Sequence, residues 1–264
     1  EILLQLQNDY SEIQDLKHII TDLSDTDVAR KISDNTYVPA DTVGTLTSEQ
    51  TIGVAYLYYA GRALLGDEVG LGKTVMTAGL INLLKRGNPN FRYCFLTEKT
   101  SVDQIRKKLM KFTGDYVELV ESAEAKVLNR FLTENMLNLK YSFTGTHSLL
   151  ANSEFLYYLS RHPVDLLVID EGAVLRKTAH TYYKAVKALS DYIGRIVILN
   201  ATPLETGARD IYNQLKLLDK SFMPTVADFE SAFCKKSKRQ FGKGFETVGY
   251  KNCEVFKEAI CLRY

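Results

Sequence analysis

The sequence predicts an α/β domain with a central parallel sheet covered by helices on both faces. Three observations predict it. Short apolar runs recur between helix-length segments, the runs show no apolar–polar alternation, and the best of them end in glycine-rich or acidic turns. A strand that reads as a continuous apolar run is buried on both faces, whereas a strand with one wet face alternates.

The elements follow in order. Residues 2–23 carry Leu3, Leu6, Ile13, Leu16, Ile20 and Leu23 at mostly helical spacing and predict an amphipathic helix. Residues 24–47, rich in Asp, Ser and Thr with Pro39 and Gly44, read as a connection. The chain therefore divides into an N-terminal helix and connection over 1–45 and an α/β lobe over 46–264. Thr47 or Ser48 caps a helix through Ala55, Leu57 and Tyr58. Ala63–Leu65 is a short apolar run entering a glycine-rich loop, and the next helix carries Val75, Ala78, Leu80, Leu83 and Leu84. Tyr93–Leu96 predicts a strand, 101–112 a helix, Leu139–Thr144 a strand and Ser148–Leu159 a helix. Leu166–Ile169 is an apolar run bounded by acids, followed by a helix through Tyr182–Leu189. Ile196–Leu199 is the last clear strand, with a helix at 208–218 after it. Lys235–Lys243 (KKSKRQFGK) reads as a solvated loop or as a contact to a phosphate backbone.

Composition narrows the class. A length of 264 residues suits one large α/β domain or two small ones, and 45% hydrophobic with 25% charged residues is ordinary for a chain that buries a core. Lys plus Arg (33) nearly cancels Asp plus Glu (32), so no net field announces a polyanion partner, although one basic face would suffice. Cys94, Cys234, Cys253 and Cys261 have no metal-ligand spacing and read as thiols in a reducing compartment. No stretch approaches the ~18 apolar residues of a membrane span, and no signal peptide opens the chain. The expectation is a soluble, non-secreted protein, cytoplasmic or nuclear, without a membrane partner. A start at Glu1 suggests a fragment.

Gly70, Gly72, Lys73 and Thr74 follow a short strand and open a helix, the context that a phosphate-binding loop requires. Glycines let the backbone turn tightly and aim its N–H groups at phosphate oxygens, and the helix N-terminus adds partial positive charge. Lys73 would reach the β- and γ-phosphates and Thr74 would place its hydroxyl on Mg²⁺. Asp67 stands where the general GxxxxGK[ST] pattern has glycine. The run Leu166–Ile169 ends in Asp170–Glu171, placing two acids at the strand end where open parallel sheets bind ligands. In a phosphate-loop ATPase the first acid helps to hold Mg²⁺ and the second polarises the attacking water.

GDEVGLGKT at 66–74 resembles the DEMGLGKT loop of the Swi/Snf-type DNA translocases in helicase superfamily two. The resemblance continues over about 46–264. LTSEQTIGVAYL (46–57) is similar to the segment that presents a glutamine to adenine, here Gln50. YCFLTEKTSVDQIRKKLMKF (93–112) resembles motif Ia, and SFTGTHSLL (142–150) the family's TTYESL segment. DLLVIDEGAVLRK (165–177) resembles motif II, usually ending DEAHRIKN. RIVILNATPLETGARDIYNQLKLLD (195–219) resembles motif III, and GYKNCEVFKEAICLRY (249–264) the exit from the first lobe. Two departures stand out. The histidine that often follows Asp-Glu-Ala in the family is replaced, giving Asp170-Glu171-Gly172-Ala173, so Ala173 bears on coupling of nucleotide state rather than on Mg²⁺ binding. Motif III reads Asn200-Ala201-Thr202-Pro203 rather than Thr-Gly-Thr-Pro.

The resemblance implies a RecA-like three-layer lobe of a phosphate-loop NTPase, the first of two helicase lobes, that binds ATP with Mg²⁺ and the backbone of double-stranded DNA. It implies Lys73, Asp170 and Glu171 as catalytic residues and Gln50, Glu68, Gly70, Leu71, Gly72, Lys73, Thr74 and Val75 around the nucleotide. It assigns Thr74 and Asp170 to Mg²⁺ and Thr202 to sensing the nucleotide state. Thr97, Lys99, Ser101, Thr146 and His147 are the candidate DNA-backbone contacts; such groups position the protein and carry no sequence code. Residues 1–264 hold no QxxGRxxR-like segment, which in the family supplies an arginine finger from a second RecA-like lobe. The isolated lobe is therefore expected to bind nucleotide and hydrolyse it very slowly. Competing expectations are an ATP-gated scaffold that does not translocate, and an RNA helicase of the same superfamily.

Overall fold

The computed structural model describes residues 46–120, 128, 130, 132–133, 142–203, 207–238 and 245–253. The predicted helix over 2–23, its connection, and most of the 249–264 segment lie outside the described residues.

Six strands form one sheet in the order β1-β6-β5-β2-β4-β3: β1 (Arg62–Leu65), β2 (Tyr93–Thr97), β3 (Val117–Val120), β4 (Ser142–Thr146), β5 (Leu166–Ile169) and β6 (Arg195–Leu199). Every pairing in it is parallel. Successive side chains on a strand point to opposite faces, and here both faces are dry. Tyr93, Phe95, Leu166, Val168, Val197 and Leu199 enter one core with α1 (Ser48–Ala60), α2 (Lys73–Gly87) and α3 (Val102–Thr113). Cys94, Leu96, Leu167, Ile169, Ile196 and Ile198 enter the other with α4 (Ser153–Arg161), α5 (Thr181–Leu189), α6 (Ala208–Leu218) and α7 (Val226–Phe233). The result is the three-layer α/β fold that the unalternating apolar runs require. No helix among the described residues is long and apolar enough to cross a membrane.

Local chemistry sets the helix ends. Thr47 and Gln50 form a reciprocal capping box that starts α1. The helix expected over 148–159 is split, because the Asn152 side chain accepts hydrogen bonds from the backbone N–H of Glu154 (2.9 Å) and Phe155 (3.0 Å). A single 3₁₀ turn, His147–Ala151, precedes the new start. Three elements were not expected: the edge strand β3, the helix α7, and an antiparallel hairpin of β7 (Cys234–Lys238) with β8 (Phe245–Tyr250). The hairpin corrects the reading of 235–243 as a loop, since Lys235–Lys238 lie in a strand with a bulge between Lys235 and Lys236. The Cys94 and Cys234 thiols are buried, Cys253 is exposed, and none of the three is in a disulfide.

Candidate functional site at the carboxyl edge of the sheet

The strand order brings together four carboxyl ends that are far apart in sequence. Leu65 pairs with Leu199, Ile198 with Ile169, and Leu96 with Ile169, so β1, β6, β5 and β2 end almost level. The glycine-rich loop leaves β1, the Asn200–Thr202 turn leaves β6, Asp170–Glu171 leaves β5, and Thr97 closes β2. The β6 turn thus stands between the loop and the acidic pair.

The loop runs from Gly66 to Gly72. Gly70 (φ 96°) and Gly72 (φ 88°) take backbone conformations that side-chain-bearing residues rarely adopt. Gly72 caps α2, and the N–H groups of Val75 and Met76 both donate to its carbonyl, at 2.8 and 2.9 Å. Lys73 Nζ folds back over the loop and donates to the carbonyls of Asp67 (2.7 Å) and Glu68 (3.1 Å). Asp67 is buried while Glu68, Val69, Gly70 and Leu71 are exposed, so the residue that departs from the general pattern is packed inside the loop. Gln50 reaches the loop as well: its Nε2 donates to the Leu71 carbonyl at 3.3 Å while its Oε1 accepts from Thr47 N–H at 3.2 Å. A Cβ at Gly72 would meet that amide at 2.6 Å. Gln50 therefore braces the loop as well as standing where adenine recognition was expected. Thr74 and Val75 lie half-buried in the first turn of α2.

Asp170 is held from two other strands. Thr97 Oγ1 donates to Asp170 Oδ2 at 2.9 Å, a contact set by the β2–β5 register. His147, which follows β4, places Nε2 2.7 Å from the Asp170 carbonyl oxygen. A carbonyl can only accept, so Nε2 carries the proton. Burial pulls the His147 imidazole below its usual range, opposed by that carbonyl and the Asp170 charge. Glu171 adopts left-handed backbone (φ 49°), uncommon for a residue with a side chain. Its carboxyl is pushed up by burial first, then by the negative charges of Asp170 and Glu98, while Lys73 pulls it down. Lys73 and Glu171 thus share one electrostatic environment.

On the other flank Asn200 is a junction. Its N–H donates to the Leu65 carbonyl (3.0 Å), its Oδ1 accepts from Thr202 N–H (3.1 Å), and its Nδ2 donates to Gln214 Oε1 (2.9 Å). Thr202 is exposed at the tip of this turn.

The candidate DNA contacts fall into two groups. Lys99 is exposed and Ser101 partly so, in the turn after β2. Thr97, Thr146 and His147 are buried, and their side chains bond inward, Thr146 with Ser148 Oγ at 2.6 Å. Those three side chains are thus turned into the domain, unlike Lys99 and Ser101. Thr97 and His147 support the acidic pair instead, because the level strand ends turn them toward Asp170. Only strand order could have revealed this, as no local pattern links residues 97, 147 and 170.

The donor set fits a magnesium–phosphate group. Lys73 and Thr74 open the helix after a glycine-built loop, and Gly70 has open space where a side chain would stand. Asp170 and Glu171 follow a strand that ends at the same edge, with Glu171 under the charge of Lys73. No group of three or more His, Cys, Asp and Glu side chains able to hold a metal occurs among the described residues. Magnesium is commonly held by one or two protein oxygens plus substrate phosphates and needs no such group.

Comparison with known proteins follows the same lines. The family model for the SNF2-related domain matches residues 49–248. RNA polymerase-associated protein RapA of Serratia proteamaculans (strain 568) is 28% identical over 179 residues, covering 65% of this chain and 18% of that protein. The SWI2/SNF2 ATPase core of Sulfolobus solfataricus, solved in complex with double-stranded DNA, has a TM-score of 0.61 at 20% identity, covering 74% of this chain and 40% of that one. The latter is a likeness of fold, and the chain spans less than half the length of either relative.

Proposed function

The chain belongs to the SNF2-related domain family, and from that premise we propose that it is the ATP-binding first lobe of a double-stranded-DNA-dependent ATPase of the Swi/Snf type. The observation that carries the proposal is the convergence of Lys73, Asp170 and Glu171 at one edge of the sheet, with Glu171 under the influence of both other charges.

When bound, ATP with Mg²⁺ supplies the transferable γ-phosphoryl group and a divalent charge beside it. Lys73 exchanges two backbone carbonyls for phosphate oxygens, which neutralises charge where it builds up. Thr74 and Asp170 are the residues that would hold Mg²⁺. Glu171 orients water by accepting its proton, and its raised proton affinity suits it to that task. Thr97 and His147 fix Asp170 in place so that its position costs no reorganisation during reaction. Gln50 holds the loop through Leu71. Lys99 and Ser101 are the surface groups that remain for a DNA backbone, together with the exposed lysines of β7. A second lobe, outside these residues, would supply the arginine finger, worth roughly 10³–10⁵ in rate. Movement along DNA would follow from closing and reopening the two lobes.

The test is ATP hydrolysis by the full-length purified protein with duplex DNA, single-stranded RNA or neither. Stimulation by duplex DNA is expected, with Lys73→Ala weakening nucleotide binding about 100-fold through loss of a charge-assisted contact. Stimulation by RNA alone would transfer the assignment to an RNA helicase. Retention of biological function by Glu171→Gln would leave an ATP-gated scaffold.

A further inference from the structure

Gly172, which follows the acidic pair, and Asn200, a departure from the family pattern, meet in one place. A Cβ built on Gly172 would collide with the Ile198 γ-methyl, lie 2.8 Å from Gln214 Oε1 and 3.2 Å from the Asn200 Cβ. Asn200 and Gln214 are 1% and 0% exposed. Asn200 Nδ2 donates to Gln214 Oε1 at 2.9 Å, and Gln214 Nε2 donates to the Asp210 carbonyl one helical turn earlier in α6 at 2.9 Å. The same Asn200 accepts from Thr202 N–H and donates to Leu65 O, the last residue before the phosphate loop. Two long amides buried so completely stay hydrogen-bonded or cost the desolvation of each lost group.

We propose that the Asn200–Gln214 amide pair is a positioning device that joins the Thr202 turn and the Asp170–Glu171 turn to helix α6, and that Gly172 is glycine to admit it. The inference rests on the nucleotide-binding reading above. The device acts through its geometry. Gln214 Oε1 fills the space beside Gly172 where a Cβ would stand, Asn200 holds the backbone of Thr202, and the two side chains are bonded to each other. A displacement of either turn is passed to the other and to α6, because the pair has no slack and no solvent to replace its bonds. Arg176, just past the same turn, adds to the connection: its carbonyl accepts from Asn213 Nδ2 at 2.5 Å and its guanidinium faces Asp210 at 3.8 Å. The turn after β5 is therefore joined to α6 through Asp210, Asn213 and Gln214.

Gln214→Met keeps length and packing but removes the acceptor for Asn200, and Asn200→Ala removes the other half. Amide hydrogen exchange of the full-length protein, with and without a non-hydrolysable ATP analogue and Mg²⁺, gives the decisive readout. In the unsubstituted protein the analogue is expected to slow exchange in the phosphate loop and in α6. In both variants the loop response is expected to persist and the α6 response to fall at least threefold. Steady-state hydrolysis is expected to lose about tenfold in kcat with KM within twofold, and the double variant to lose no more than either single one, as parts of one unit do. An undiminished α6 response in both variants, or full additivity, would overturn the device while leaving the nucleotide reading intact. Absence of any loop response in the unsubstituted protein would overturn both. If Asn200→Ala does not fold, Gln214→Met alone decides, since it keeps the unbranched length of the side chain and leaves the backbone unchanged.

Discussion

Between β1 and α2 the chain takes left-handed backbone at Gly70 and Gly72, in a loop whose outer side lies open to solvent. Beyond β5 it does so at Glu171, immediately before Gly172, whose surroundings leave no room for a methyl group. Both turns sit at the same edge and are proposed for the same nucleotide, yet the loop is open around Gly70 while the second turn is crowded at Gly172 and strained at Glu171. In the loop, glycine is used for its conformations. In the second turn glycine is used for its size, and the unfavourable conformation falls on the acid. Strain of this kind persists only where the surroundings over-determine it. Thr97, His147, Asn200 and Gln214 provide that over-determination.

The contrast is most severely tested at the two glycines. Gly172→Ala forces a Cβ against the Ile198 γ-methyl, a buried branched side chain in the middle of the sheet, and against Gln214. Overpacking of this kind costs about 1–3 kcal/mol, and the double obstruction places it near the top of that range. A fall in melting temperature of roughly 5–10 °C is expected, measured by thermal unfolding of the purified protein. Gly70→Ala has nothing to collide with and costs only its backbone conformation (φ 96°). The left-handed penalty of about 1–2 kcal/mol is partly offset by the lower entropy of the unfolded chain, leaving about 1 kcal/mol. If the two variants lose the same stability, the distinction between a glycine of shape and a glycine of size is wrong.

The two turns also differ in how far they could be read from the sequence. The phosphate loop was legible because everything that defines it is local: a short apolar run, glycines, Lys73 and Thr74 opening a helix. Asp170–Glu171 was legible for the same reason, as was α1, whose T-S-E-Q start is a capping box. What holds the acidic pair was not. Thr97 and His147 read as exposed loop groups because each follows an apolar run, and only the order β5-β2-β4 turns them onto Asp170. Nothing local marks Gln214 either, since its partner Asn200 follows β6, before α6 begins. Outside the site, β3 escaped notice because four residues containing Glu118 on a half-buried edge carry little pattern. The hairpin did so because β7 is almost all lysine and serine, a poor strand composition stabilised by pairing rather than propensity.

The smallest expected effect on stability is the most specific to the strained turn. At nearly every position in a folded chain alanine is at least as favourable as glycine, because glycine leaves a more flexible unfolded state. Glu171 has φ 49° and ψ 60°, the left-handed well, where a Cβ costs about 1–2 kcal/mol. Glu171→Gly removes that strain and adds unfolded-state entropy of similar size, so its net change should be under about 0.5 kcal/mol. Glu171→Ala keeps the strain, loses the carboxylate as well, and should come out the less stable of the two. On the role proposed for Glu171, both variants should lose hydrolysis, because neither can orient water. The order of the two melting temperatures, glycine above alanine, therefore reports the backbone alone. The reverse order would mean that the turn relaxes once the carboxylate is gone, and that the strain comes from Glu171's own contacts and not from the packing around Gly172.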